Sequence, residues 1–151
     1  RKAREIAVQC LYSLEFSEIE ESYREYGLLN EYTDILLSLA EAENMHSDSP
    51  VYAFAEELVK NTIINIEQIE GEIDKLADNW DLKDIAMLDR SILSLAAYEL
   101  LYTDTPAAVV INEAIEIAKK FSCEASGKFI NGILDALHKE IKQKQQGNLT
   151  T

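Results

Sequence analysis

An all-α domain of about six to seven helices, in two packed helical halves, is what this sequence predicts, on three observations. Apolar residues recur at three- and four-residue spacing in almost every segment, and no strand-like alternation interrupts them. The 151 residues are 47% hydrophobic with only 5 Gly and 2 Pro, so the chain has few breakers. Cap-and-proline pairs, Ser49-Pro50 and Thr105-Pro106, punctuate it as helix starts do.

In chain order, the first helix is expected over Lys2 to Phe16, with Ile6, Ala7, Cys10, Leu11 and Leu14 inward and Arg1, Lys2, Arg4 and Gln9 left for solvent or a ligand. Glu18 to Tyr26 is acidic and is expected to break at Gly27. A second helix follows over Leu28 to Glu43, with Tyr32, Ile35, Leu36 and Leu39 as its stripe. Asp48 or Ser49 before Pro50 opens a long helix to about Asp78, carrying Phe54, Leu58, Val59, Ile63, Ile66, Ile69, Ile73 and Leu76 inward, with a bend at Gly71.

Asn79 to Lys83 reads as the internal boundary, with Trp80 across the joint and Asp81 or Asp84 as the next cap. The following helix is expected over Ile85 to Leu101. From Pro106 to Leu137 the pattern is a helical hairpin, with Thr105 and Ser126 as caps and a polar connection, Ser122 to Gly127, flanked by Lys119, Lys120 and Lys128. The domain is expected to span 1–145, with halves of about 1–78 and 81–145, and 146–151 to form a flexible tail.

Charge narrows the function. The net charge of −14 is unevenly spread: residues 1–4 carry three cations and no acid, residues 5–118 carry 5 basic against 25 acidic residues, and residues 119–151 carry 6 against 3. If the chain ends fold side by side they make one positive patch, which screening at a Debye length of about 8 Å isolates from the acidic middle. Such a patch can hold phosphate, while long-range steering of a polyanion runs the wrong way and calls for a helper.

Enzyme signatures are missing: there is no Gly-rich phosphate loop, no GxSxG and no HExxH. Asp135-x-x-His138 is half of a carboxylate-bridged metal site without its second half, so neither metal nor cofactor is expected. Cys10 and Cys123 have no CxxC partner, and no segment is long and apolar enough for a membrane span, so the chain reads as soluble and cytoplasmic. Asn112, Glu113 and Asn131 interrupt the hairpin's apolar pattern and read as a structural hydrogen-bond network.

Four stretches carry a resemblance. RKAREIAVQCLYSLEF at the start, LDRSILSLAAYELLY, VVINEAIEIAKKF and SGKFINGILD resemble the NusB family of bacterial transcription antitermination factors, in that family's order. The resemblance implies a non-enzymatic helical protein that binds boxA RNA together with NusE, a small-subunit ribosomal protein, and acts with RNA polymerase during ribosomal RNA transcription. It places RNA contacts at Arg1, Lys2 and Arg4, with Gln9 alongside, and at Lys128 and Phe129 near Glu124 and Ala125. Phe129 is either a platform for an unpaired base or a core ring.

It also implies a partner surface at Tyr12 and Asp89, and a homodimer is a further assembly known among relatives. Ser94 stands where many members have arginine, and Ala125 where an acid is often found. The alternative function is a helical protein-interaction module without RNA binding of its own.

Overall fold

The computed structural model describes residues 1–77 and 85–149. Among them lie seven α-helices, one 3-10 turn and no strand. The helices are α1 (Lys2–Leu14), α2 (Arg24–Ala42), α3 (Pro50–Ile64), α4 (Ile66–Leu76), α5 (Met87–Tyr102), α6 (Ala107–Phe121) and α7 (Glu124–Leu149). The chain divides into two compact units, Arg1–Ile66 and Glu67–Thr151. The expected boundary at Asn79 to Lys83, with Trp80 and the caps Asp81 and Asp84, lies outside the described residues.

In the first unit α1, α2 and α3 pack on one another. The inward face of α1 is the one the periodicity predicts: Ile6, Ala7, Cys10, Leu11 and Leu14 are buried, with Ala3 and Val8 beside them. They meet Leu28, Tyr32, Leu36 and Ala40 of α2 and Tyr52, Ala55, Leu58, Val59 and Ile63 of α3, all buried. Cys10 donates its thiol hydrogen to the Tyr32 carbonyl at 3.7 Å, so the buried sulfur is not left unpaired.

Three local expectations are corrected here. Gly27 does not break the chain: α2 starts at Arg24, after a 3-10 turn at Glu21–Tyr23, and runs through Gly27. A Cβ at Gly27 would stand 2.5 Å from Ile19 Cγ2, so glycine is there to let Ile19 lie against the helix. The long helix is two helices, and it parts at Asn65, whose side chain donates to the Asn61 carbonyl at 2.8 Å and competes with the backbone ladder. Phe54 is 36% exposed, unlike its neighbours on the expected stripe. Ser49 does cap α3, accepting from the Tyr52 N–H at 3.2 Å, with Pro50 as first helical residue.

In the second unit α5, α6 and α7 pack on one another. Ile92, Leu93, Leu95, Ala96 and Ala97 of α5 meet Val110, Ala114, Ile117 and Ala118 of α6 and Ile130, Ile133, Leu134 and Leu137 of α7, all buried. The hairpin is therefore present, with its caps arranged differently. Thr105 does not cap α6; its N–H is bound by the Thr103 hydroxyl, which also donates to Glu99 O at 2.7 Å, and Pro106 becomes the N-cap. Ser126 lies inside the first turn of α7. That helix continues to Leu149, through most of the expected 146–151 tail, supported by Lys139–Asp135 (3.1 Å) and Lys144–Glu140 (3.4 Å) pairs at four-residue spacing; 150–151 are outside the described residues. Tyr102 donates to Gln68 and Lys144 lies 4.0 Å from Glu72, tying α4 to this unit.

The Gly27 contact can be tested by a double-mutant cycle. Alanine in a helix interior is worth about 1 kcal/mol over glycine, whereas forcing Ile19 aside costs about 1–3 kcal/mol. Gly27→Ala is expected to lower unfolding stability in the natural sequence and to raise it by up to about 1 kcal/mol in an Ile19→Ala background. Urea denaturation of the four proteins reads the sign change.

Candidate functional site

The cations of α1 stand where a helix built only for stability would carry acids. The helix begins at Lys2 with Arg1 as N-cap, no side chain caps it, and Glu5 is the one acid of its first turn. Arg1, Lys2 and Arg4 add to the positive end of the helix dipole, at a cost of about 0.3–1 kcal/mol for an exposed charge; Arg1 and Lys2 are exposed and Arg4 is half-buried. They make a local anion-attracting end in an acidic chain.

Lys2 reaches Glu43 at 3.4 Å, with both side chains largely exposed. Such a pair is worth about 0–1 kcal/mol and exchanges readily for a phosphate. The Arg4 guanidinium lies 5.3 Å from the centre of the Phe54 ring, a cation–π contact between α1 and α3. Beside them opens a cleft of about 850 Å³ bordered by Arg1, Lys2, Glu43, His46, Val51 and Phe54. Gln9 and Tyr12, further along α1, are half-buried. Tyr12 meets Phe16 edge to face at 5.1 Å, and Phe16 is 64% exposed.

The second unit holds the α6–α7 corner. Lys119 and Lys128 border a hollow of about 270 Å³ together with Ile115, Glu124, Gly127 and Asn131. Lys128 is exposed and Phe129 half-buried. Beneath the corner, the Ser126 hydroxyl donates to Asp89 Oδ2 at 2.9 Å and stands 2.9 Å from the Ser122 hydroxyl and 3.4 Å from Cys123 Sγ.

Asp89 is thus 7% exposed and turned into the fold, where the sequence placed it on a partner surface; among the described residues its Oδ1 has no hydrogen-bond partner. Ser94 is buried as well. Asn112 and Asn131 are exposed, so the expected polar network inside the hairpin is not formed by them. They fall just outside the buried edge of each helix.

The two thiols differ as their surroundings dictate. Burial pushes Cys10 up to about 12. Exposed Cys123 is held below the usual thiol value, chiefly by its hydrogen bond with Ser126.

Sequence reasoning missed the cleft at His46, Val51 and Phe54. Periodicity marks Phe54 as apolar and helical, and nothing in the pattern says that no element covers it. The hollow was half visible, through Lys119 and Lys128 flanking one polar turn.

The profile of the NusB family matches residues 1–139. The chain belongs to the NusB family. A transcription antitermination protein NusB of Thermodesulfovibrio yellowstonii is 40% identical, covering 93% of this chain and 91% of that one. The fold is similar to that of NusB from T. maritima, with a TM-score of 0.77 at 34% identity over 92% of this chain and 89% of that one. It is also similar to a chain solved as antitermination factors NusB and NusE in complex with double-stranded RNA, TM-score 0.75 at 24% identity, over 91% and 94% of the two chains. Membership makes this a NusB-type antitermination factor, a non-enzymatic class. Among the described residues no helix is long and apolar enough to cross a membrane.

The Ser126 contact sets two expectations. Ser126→Ala leaves a buried carboxylate oxygen without its donor and is expected to cost about 1–3 kcal/mol, read by thermal or urea unfolding. Because the thiolate is the reactive form, Cys123 is expected to react with a disulfide reagent at a pH below that needed by an ordinary thiol, and more slowly in Ser126→Ala. Cys10 is expected to stay unreactive until the chain unfolds. A folded value of about 12 against an ordinary 9.0 means that the protonated thiol is favoured in the fold, so this contribution to stability is complete below pH 9 and is lost as pH rises toward 12.

Proposed function

We propose that this protein binds boxA RNA together with NusE, within the RNA polymerase antitermination complex, and so supports transcription of ribosomal RNA in the cytoplasm. The observation that carries the reading is the first turn of α1, where Arg1, Lys2 and Arg4 oppose the helix dipole in a chain of net charge −14. Family membership supplies the biological setting. Lys128, with Phe129 after it, adds a cation at the α6–α7 corner, and Gln9 lies on the same face of α1 as Lys2, about two turns on.

The division of labour is electrostatic. Cations neutralise phosphates and release counterions, which gives affinity without sequence information, and the acidic bulk lowers the encounter rate with RNA. That same bulk attracts a basic ribosomal protein. Tyr12 and its exposed neighbour Phe16 fit the protein side of the complex, and Asp89 acts there by holding the turn through Ser126.

One observation favours the reading as a pure protein-interaction module: Phe16, Tyr23 and Tyr26 are 64%, 65% and 70% exposed on the first unit. Aromatic rings left in water are common at protein interfaces. Salt dependence separates the two. For single-stranded RNA the slope of log affinity against log salt is expected to shrink by about 0.7 for each lost phosphate contact. Arg4→Gln and Lys128→Gln are each expected to weaken boxA binding and to shrink the slope by about that amount. BoxA binding that survives reversal of Arg1, Lys2 and Arg4 to glutamate would remove the α1 cations from the RNA site, whereas absence of boxA binding by the natural protein, with NusE binding kept, supports the module reading.

A further inference from the structure

We propose that the cleft beside α1 seats one unpaired RNA nucleotide, with its base against Phe54 and Val51 and its phosphate on Arg1 and Lys2. The proposal rests on the RNA-binding reading above and assigns it a pocket. The cleft is about 850 Å³ and widely open to solvent, a shallow seat for one splayed residue of a chain that continues past it. Its walls offer two unlike chemistries side by side.

One wall is cationic. Two helices open onto it at their positive ends, α1 at Lys2 and α3 at Pro50, and Arg1 and Lys2 sit at the rim. Glu43 is the acid on the rim, and its exposed 3.4 Å pair with Lys2 leaves that lysine able to turn to a phosphate. The other wall is apolar. Val51 is 44% and Phe54 36% exposed, an aliphatic and an aromatic residue left facing solvent within the first turn and a half of α3. The Arg4 guanidinium lies 5.3 Å from the Phe54 ring centre and covers part of the ring, and the exposed remainder of the ring is what the cleft offers to a base.

A free phosphate would leave the apolar wall bare, and an apolar peptide would bury the rim cations without partners. A nucleotide covers both, because every base has a π-face and every residue of RNA brings an anion. Double-stranded RNA does not fit, since its bases are stacked and paired; the occupant is a splayed single-stranded residue.

The test is fluorescence anisotropy with a short single-stranded boxA RNA, comparing the natural protein with Phe54→Ala, Val51→Glu and Lys2→Gln across a salt series. Phe54→Ala is expected to weaken binding about five- to a hundredfold through lost stacking. Made in an Arg4→Gln background, so that the cation Phe54 holds is already gone, it is expected to leave the salt slope of that background unchanged. Val51→Glu controls for folding. An acid in the first turn of α3 favours the helix, so its melting temperature should not fall, yet its charge and bulk in the cleft should weaken RNA binding. Lys2→Gln should shrink the slope by about 0.7.

If Phe54→Ala and Val51→Glu bind as the natural protein does while Lys2→Gln shrinks the slope, RNA is bound through phosphates alone and the nucleotide seat is overturned. If none of the three changes RNA binding, the seat falls along with the RNA role of α1. If Val51→Glu leaves RNA affinity intact and abolishes NusE binding, the cleft belongs to the protein partner, and the proposal is overturned in that way.

Discussion

Burial of one face of α1 between α2 and α3 is the interaction on which the first unit, and the chemistry it carries, depends. A helix of 13 residues is marginal in water by itself. Ala7, Val8 and Cys10 have no exposed surface at all, and each larger apolar side chain buried with them contributes about 1.5–3 kcal/mol. The same helix carries Arg1, Lys2 and Arg4 on its remaining surface and first turn. Their positions are therefore borrowed from the core, and their placement against the dipole is a local cost the core offsets. In the second unit α7 repeats the arrangement, with Ile130, Ile133, Leu134 and Leu137 buried and Lys128 outside.

The electrostatic plan follows from that anchoring. An acidic middle of 25 carboxylates against 5 cations would repel a polyanion if charges acted at long range. At physiological ionic strength exposed charges beyond about 8 Å are largely screened, so a few fixed cations at a helix terminus can bind phosphate while the bulk of the surface attracts a basic partner. Rigidity matters more than number in such a design. Arg4 is held against Phe54, so it starts from a more ordered position than a free surface cation, whereas the exposed Lys2–Glu43 pair leaves Lys2 free to exchange its partner.

Much of this was legible in the sequence, for reasons that also explain what was not. The inward faces of α1, α6 and the middle of α7 were readable because a buried stripe repeats at helical spacing whatever it packs on. Ser49 was readable because a cap with proline after it acts within one turn. The break at Asn65 was hidden because Ile63, Ile66, Ile69 and Ile73 keep the apolar period going across it, while the cause is one amide bonding to Asn61. Gly27 looked like a breaker because its function lies in Ile19, eight residues earlier, and propensity carries no record of that contact. Asp89 was assigned to a partner surface by the family resemblance, and its burial was not legible because the group that binds it, Ser126, is 37 residues away in sequence. Phe54 failed for the converse reason: its place in the stripe is regular, and exposure is decided by what fails to pack over it.

Coupling between the two partners is the most direct test of the account. A short boxA RNA is titrated with this protein alone and then with NusE present, beside a scrambled RNA at the same salt, and anisotropy is followed. The account predicts weak binding alone and a selective tightening for boxA when NusE is added, because the acidic surface is then occupied by a basic partner and the fixed cations are left to the RNA. Equal behaviour of boxA and scrambled RNA, with and without NusE, would contradict it and leave the cations of α1 without an RNA role.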